Sequence, residues 1–426
     1  MKLPWAAGRV LEPDEFENYC QQVMADCNYC DLRPEEYREG LADFPLLLKP
    51  GVWPKLAKVA EKATQEILAA EQELLARPDL YETLGLPTGI RKVMEGCNRN
   101  CWPRGAARVM RFDFHFTTQG WKFSEANPDG PSGYIEAYGF TRAMAPYYPH
   151  FTAPPNPGRE YAKAISGEVG RKGLVGIVCS IDRAAVREGE TLCREFKKRG
   201  MKPILVQPRR LGWRSNFARI SGPGRGGTPD LVVRLAPAER LPQANMHAVW
   251  QPWFCGGKTL MSPPGTAILI ESKRFPLVWK ELATPMSTWK SSFPESRCPR
   301  EVAEKSETDW VFKPTFGAAG CGTVIAGVSE KSIFRQVAQK ARRNPFGWIA
   351  QRRFESLGLE TERGLGHVCL GIFTVNGLAA GAYARVRATP LIDYKALSIP
   401  VLVPEWDLGP GDSESRALSD KNFNKS

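Results

Sequence analysis

The chain has no long hydrophobic run. Nowhere in its 426 residues are there the roughly 18 consecutive apolar residues that a membrane helix needs. The opening segment, "MKLPWAAGRVLEPDEFENYC", lacks the apolar stretch of a secretion signal. These absences argue against a helical membrane anchor and lead us to expect a soluble cytoplasmic protein. Acidic residues are in deficit, 46 against 58 Lys and Arg, for a net charge of +12. The excess favours anionic partners such as nucleotides, phosphorylated metabolites, acidic peptides or nucleic acid, and does not choose among them. The 11 cysteines are odd in number and scattered, which argues against a disulfide framework and for buried free thiols. Their one local cluster is Cys20, Cys27, Cys30, Cys97 and Cys101. Cys27 and Cys30 have half the spacing of a zinc site, but the second pair has three intervening residues and lies beyond a long helical stretch.

What is present is ordinary for a globular protein: 42% hydrophobic and 24% charged residues, in a chain long enough for two or three lobes. Residues 1–95 read as a helical N-terminal region, with Leu56, Val59, Ala60, Ala63, Ile67, Leu68 and Leu74 at helical spacing on a core-facing stripe. After the Pro-rich "HFTAPPNPG" joint, "GLVGIVCSIDR" reads as a buried strand, "REGETLCREFKKRG" as a helix ending at Gly200, and "MKPILVQP" as a second strand. These form a β-α-β unit without the G-x-G-x-x-G of a dinucleotide fold. Residues 207–227 carry Arg and Gly with Trp213 and Phe217 interleaved, a composition open to nucleic-acid binding or to a substrate-covering loop. The last residues, 409–426, read as a polar flexible tail.

Two stretches carry chemistry. In "RFDFHFTTQGWKFSEANPDGP", residues 111–131, strand alternation puts Arg111 and Asp113 on one face with Phe112 and Phe114 on the other. Glu125 and Asn127 share a face of the next strand. Folded about the turn at Thr117 to Gly120, the pair would gather three oxygen-bearing side chains and one guanidinium, a set suited to a cation and an anion together. In "DWVFKPTFGAAGCGTVIAG", residues 309–327, a strand runs into a glycine turn and returns. There Gly317, Gly320 and Gly322 would let backbone N–H groups approach phosphate oxygens, with Lys313 in reach of the same oxygens. A lone glycine hairpin is equally a tight turn. The parts around it add weight: a helix over 329–343, the strand "GWIAQRRFE", the upstream "ESKRFPLVWKEL" with Lys273, and a strand pair turning at Asn376-Gly377 together describe an ATP site.

The pattern R-x-D, then E-x-N and a Pro-containing turn, resembles the synthetase domain of glutathionylspermidine synthase and its relatives, which are circularly permuted ATP-grasp carboxylate-amine ligases. The later glycine hairpin, "ESKRFPLVW" and "WIAQRRF" follow in that family's order, and the likeness spans roughly residues 100 to 405. It implies an α+β fold of α/β lobes: a metal-binding part of the ATP-grasp domain over 96–160, a pre-ATP-grasp-like β-α-β lobe over 161–245, and a nucleotide-binding part over 246–408. It further implies that Asp113, Glu125 and Asn127 bind Mg²⁺, an ion that prefers oxygen ligands. Arg111 would contact the transferring phosphoryl group and Arg385 would face the phosphates. Lys273 and Lys313 would hold the α and β phosphates of ATP under a loop of Gly317, Gly320 and Gly322, with Gln351 beside the adenine.

The chemistry implied is amide formation: ATP phosphorylates a carboxylate, and an amine displaces phosphate from the acyl phosphate. Negative charge develops on phosphoryl and tetrahedral oxygens, which is why a cation, Arg and Lys converge. The segment "PDGPSG" after Asn127 departs from the Ala-Asp-Thr-Pro-like turn of the family, and no acidic patch for a polyamine is evident, so the expected substrates are a small acid, amino acid or peptide carboxylate and an amine. Taken singly, Asp113 and Glu125 read equally well as surface charges paired with Arg111, worth about 0–1 kcal/mol. Two other readings stay open: a basic, non-enzymatic scaffold binding RNA or an acidic partner through 207–227, and an ATP-grasp phosphotransferase that stops at the phosphorylated acid.

Overall fold

Two hairpins more than 200 residues apart in sequence lie side by side in one antiparallel sheet. The computed structural model describes residues 2–27, 40–97, 105–222, 226–242 and 250–408. In the central sheet the strand order is Leu397–Ile399, Leu378–Arg387, Gly364–Val375, Val109–Thr117, Gly120–Asn127, with Leu359–Thr361 also pairing to Gly364–Val375. The early hairpin turns over two residues, and the late one turns at Asn376 and Gly377, both with positive φ (47° and 84°), the geometry that Asn-Gly supplies. Leu370, Gly371, Ile372 and Phe373 pair with Phe114, Asp113, Phe112 and Arg111.

Alternation determines what each face of this sheet does. Phe112, Phe114 and Phe123 point into an aromatic core with Trp289 and Phe293, mostly edge to face; Phe123 and Trp289 sit 4.9 Å apart at 83°. Each such ring contributes on the order of 2–3 kcal/mol through burial. The helix Val52–Leu75 packs on the same core by the stripe its sequence announces: Leu56, Ala60, Ala63, Ile67 and Leu74 are fully buried, and Val59 and Leu68 flank them. Thr64 meets Thr374 of the late hairpin, hydroxyl to hydroxyl, at 2.9 Å. The N-terminal stretch is not wholly helical. Trp5–Ala7 and Leu46–Leu48 join Val401–Pro404 and Phe151–Thr152 in a second sheet, so long-range pairing overrides the helical composition there.

The β-α-β unit folds as its pattern predicts and grows into a four-stranded parallel sheet ordered Leu260–Ser262, Leu231–Arg234, Leu174–Val178, Lys202–Val206. Its helices Pro157–Val169 and Arg183–Lys198 begin at side-chain caps, Asn156 accepting from the Arg159 N–H at 3.1 Å and Asp182 from that of Ala185 at 2.9 Å. A smaller lobe sets the antiparallel strands Ser296–Arg297, Trp348–Arg352, Trp310–Pro314 and Val324–Ile325 against the helix Lys331–Arg343, around Phe312, Phe334 and Trp348.

One expectation fails. Cys97 and Cys255 form a disulfide, with Cα atoms 5.3 Å apart at a sequence separation of 158. It joins the ends of the helices Thr88–Gly96 and Pro252–Cys255, a proximity that only the tertiary fold creates. Cys20 and Cys27 are buried free thiols as expected, pushed by burial up to about 11 and about 12. Cys30 and Cys101 lie outside the described residues, as does the 409–426 tail. Among the described residues no helix is long and apolar enough to cross a membrane.

Candidate functional site

The polar face of the early hairpin is the floor of the site. Asp113 lies directly across from Glu125 and Arg111 from Asn127, and a bulge between Asp113 and Phe114 accommodates Ser124 as an extra residue. Arg111 grips Asp113 with both arms of its guanidinium, Nε to Oδ1 at 2.7 Å and Nη2 to Oδ2 at 2.9 Å. It also donates to the Ser132 carbonyl at 2.7 Å and lies over the Tyr383 ring. Asn127 donates to Asp113 Oδ2 at 3.3 Å. Arg111 and Asp113 are both buried, so this fork-to-fork pair is worth more than a surface ion pair.

The glycine hairpin of the small lobe faces this floor. Lys313 donates to Gln351 Oε1 at 2.7 Å and to the Ser124 carbonyl at 3.2 Å, and Gln351 donates to the same carbonyl at 3.2 Å. Lys273 follows the short helix Ile268–Glu271. Its N–H donates to the Thr315 carbonyl, while its ammonium donates to the Gly317 carbonyl at 2.7 Å and pairs with Glu125 at 3.1 Å. Gly320 requires glycine: its φ is +68°, and a Cβ there would fall 2.8 Å from the Ile392 carbonyl oxygen. Between the two poles lies a cavity of about 20 Å³ bounded in part by Ser124, Glu125, Lys273, Lys313 and Gln351. That holds about one water molecule, so a triphosphate would require the small lobe to move away from the central sheet.

The electrostatics follow from burial. Burial pushes Lys313 down to about 8, opposed by Glu125 and reinforced by Lys273. Burial acts against the Lys273 ammonium too, but Glu125 and Glu271 outweigh it and raise that group. Burial and the Lys313 charge push His115 down to about 4, leaving a neutral imidazole 3.0 Å from the Ser124 hydroxyl.

The fold thus brings three hydrogen-bonded groups side by side, Arg111 with Asp113 and Asn127, Lys273 with Glu125 and Gly317, and Lys313 with Gln351 and Ser124, a network joined through the pairing of Asp113 with Glu125 across the hairpin. Arg385 is on a neighbouring strand, opposite Cys369, but its hydrogen bond goes to the Asp393 carbonyl rather than to that network. Gln351 spends its amide on Lys313 and Ser124. As a site for a hard cation, Asp113, Glu125 and Asn127 offer only oxygen ligands, and the amide oxygen of Asn127 is left over once its nitrogen binds Asp113. Asp113 Oδ2 already accepts from both Arg111 and Asn127, whereas Asp113 Oδ1 and the Glu125 oxygen on Lys273 each show one cationic partner, so the oxygens left over suit a hard cation such as Mg²⁺. Among the described residues no three carboxylate, imidazole or thiol side chains gather at one point; the third member here is an amide.

Sequence reasoning missed several groups. Asp129, in the departing "PDGPSG" turn, is fully buried against Arg234 of the parallel lobe, and its N–H donates to Glu271 at 3.2 Å. Glu188 accepts from the N–H groups of Gly133 at 2.6 Å and Tyr134 at 3.2 Å, bracing the loop whose Ser132 carbonyl holds Arg111. Burial raises Glu188, and neighbouring Glu136 raises it further. No local signal marks Glu188, which reads as one more charge on an amphipathic helix. An acid inside the apolar "AILIESK" is the signal that could have found Glu271.

The sequence matches no family model and no curated protein. The fold is glutathione synthetase-like. A glutathione synthetase-like effector from Globodera pallida, solved in its apo form, superposes over 92% of this chain and 99% of its own, with a TM-score of 0.60 at 11% identity. A Methylobacillus flagellatus structure described as a gamma-glutamylcysteine synthetase matches over 79% of this chain and 88% of its own, with a TM-score of 0.39 and 11% identity.

Proposed function

We propose that the chain is an ATP- and Mg²⁺-dependent carboxylate-amine ligase that works through an acyl phosphate and releases ADP and phosphate. The observation that carries this reading is the meeting of two sequence-distant clusters: Lys273 bridges the glycine turn and Glu125, and Lys313 reaches the backbone beside Glu125. A single triphosphate laid across both would exchange these internal pairings for its own. Residues 96–160 and 246–408 are then two chain-separated parts of one circularly permuted ATP-grasp domain, a reading supported by the adjacency of the early and late hairpins.

In this mechanism Lys273 and Lys313 hold α and β phosphates, and the 317–322 turn covers them. Asp113, Glu125 and Asn127 would hold Mg²⁺, which supplies charge neutralisation at the transferring phosphoryl oxygens. Arg111, held in place by Asp113 and Ser132, would meet the charge that develops on those oxygens, and Arg385 would flank the same face. Gln351 would lie beside the adenine, giving up its bonds to Lys313 and Ser124. Closure of the small lobe onto the sheet would exclude water from the acyl phosphate.

The test is ADP and phosphate release from ATP and Mg²⁺ across a panel of small acids, amino acids and peptides, each with and without an amine. Hydroxylamine should trap the activated acid as a hydroxamate. ADP release without free phosphate, needing no amine and yielding a stable phosphorylated acid, would make the chain a phosphotransferase instead. No turnover across the panel, together with no ATP binding, would end the nucleotide reading.

A further inference from the structure

A second cavity, of about 360 Å³, opens at the carboxyl ends of the parallel strands Leu174–Val178 and Lys202–Val206 and shares no lining residue with the site above. This edge of a parallel sheet is where loops leave room for ligands. The floor is apolar: Val186, Leu205, Val206 and Cys179, whose thiol burial pushes up to about 11, so that it stays neutral. The mouth is polar and cationic, formed by Gln207, Arg209 and Arg210.

These two arginines come from the Arg/Gly-rich 207–227 segment, in which residues 208–220 fold as a short turn and a hairpin, Leu211–Arg214 with Phe217–Ile220. Each is anchored through Nε, Arg209 to the Gln207 side-chain oxygen at 3.0 Å and Arg210 to the Ser221 carbonyl at 2.8 Å. Arg210 lies so close over Gly222 that a Cβ there would collide with its guanidinium. Beyond these Nε bonds, among the described residues the Nη atoms of both arginines make no hydrogen bond and neither guanidinium forms an ion pair with a carboxylate. The N-terminus of the helix Arg183–Lys198 is already capped by Asp182, so an anion here is left to the arginines.

We propose that this cavity binds a small organic anion, a carboxylate or phosphate head on a compact apolar body such as one ring. The head would lie in the Nη edges of Arg209 and Arg210, which suit either group by their fork geometry. The body would rest on Val186, Leu205 and Val206, within the size range of small-molecule pockets. The 207–227 segment thereby gains a role as the rim of a small-molecule pocket.

Phenyl phosphate, benzoate and benzyl alcohol share a ring and differ in the head group. Titrated into the full chain and followed by ligand-observed NMR, at least one anion is expected to bind saturably and about ten-fold or more tightly than the alcohol. The tighter anion identifies the head as phosphate or carboxylate. In Arg209→Ala/Arg210→Ala that preference should shrink to about two-fold or less, and Val186→Trp, which fills the cavity from the helix, should lose ring and head together. The proposal is overturned if neither anion binds, if the alcohol binds as well as they do, or if the preference survives the double substitution. Should the double variant fail to fold, Arg209→Gln and Arg210→Gln are made singly, and a preference that neither lowers overturns the proposal, because the site at Lys273 and Lys313 would then account for the anion binding.

Discussion

Replacing Asp129 by Asn tests whether the "PDGPSG" turn anchors the site to the parallel lobe. Asp129 and Arg234 have no solvent exposure at all, and they pair directly. Asp129 also accepts from the Ala238 N–H at 2.7 Å, and Arg234 donates to the carbonyls of Ala236 at 2.6 Å and Pro264 at 3.0 Å. Asn keeps the shape and removes the charge, leaving the Arg234 guanidinium bonded to neutral carbonyls, with Glu239 as a nearby acidic group that does not pair with it directly. Breaking a buried pair from one side costs about 3–5 kcal/mol. If the pair melts with a cooperative unit of about 150–250 residues, that is a fall in Tm of roughly 6–20 °C, read by circular dichroism or dye-monitored melting. The double variant Asp129→Leu/Arg234→Met removes both charges and should recover most of the loss, because the expense lies in the orphaned ion rather than in the missing attraction. A fall of under about 1 kcal/mol in the single variant, or a double variant no better than it, would refute the reasoning and mean that water reaches the pair.

Lys313 sets a pH dependence. Its ammonium, pushed down to about 8, should lose its proton as pH rises, so ATP affinity measured calorimetrically should weaken about ten-fold between pH 7 and 9, whereas Lys313→Arg should be nearly flat. The stability of the free protein runs the other way: a folded-state value below the unfolded one is a cost fully present below about 8 and relieved as pH rises towards 10.5, so denaturation midpoints should climb over that window. Asp113→Asn and Glu125→Gln should each reduce Mg²⁺-supported ATP turnover by about two orders of magnitude or more while leaving the far-ultraviolet dichroism unchanged; a retained rate removes both from the metal set. Non-reducing peptide mapping should find Cys97 joined to Cys255, and because the bridge closes a loop of 158 residues, Cys97→Ser should cost about 2–5 kcal/mol in a denaturant titration.

Wherever a period governed the residues, the sequence was sufficient. The alternation of Arg111 and Asp113 with Phe112 and Phe114 separates polar from apolar whatever lies around the strand, and the structure keeps that division. The stripe from Leu56 to Leu74, the β-α-β unit and the Asn376-Gly377 turn follow in the same way from helical spacing and local backbone preference. Lys273, Lys313 and Glu125 could be singled out from motif order, but that one ammonium would bridge Gly317 and Glu125 could not, since no local term couples positions so far apart. The same holds for Asp129 with Arg234, for Glu188 bracing Gly133 and Tyr134, and for the disulfide between Cys97 and Cys255.

By itself, then, the sequence determined which faces of its periodic segments are apolar, which of those segments are strands or helices, and which side chains have the charge for phosphate chemistry, because these follow from spacing along one chain; the strands Trp5–Ala7 and Leu46–Leu48 do not. Only the tertiary structure decided which of those charges meet, how small a cavity they leave between them, and that a second, arginine-rimmed cavity opens at the edge of the parallel sheet. Those outcomes depend on the packing of elements hundreds of residues apart, where burial rather than local preference sets the balance.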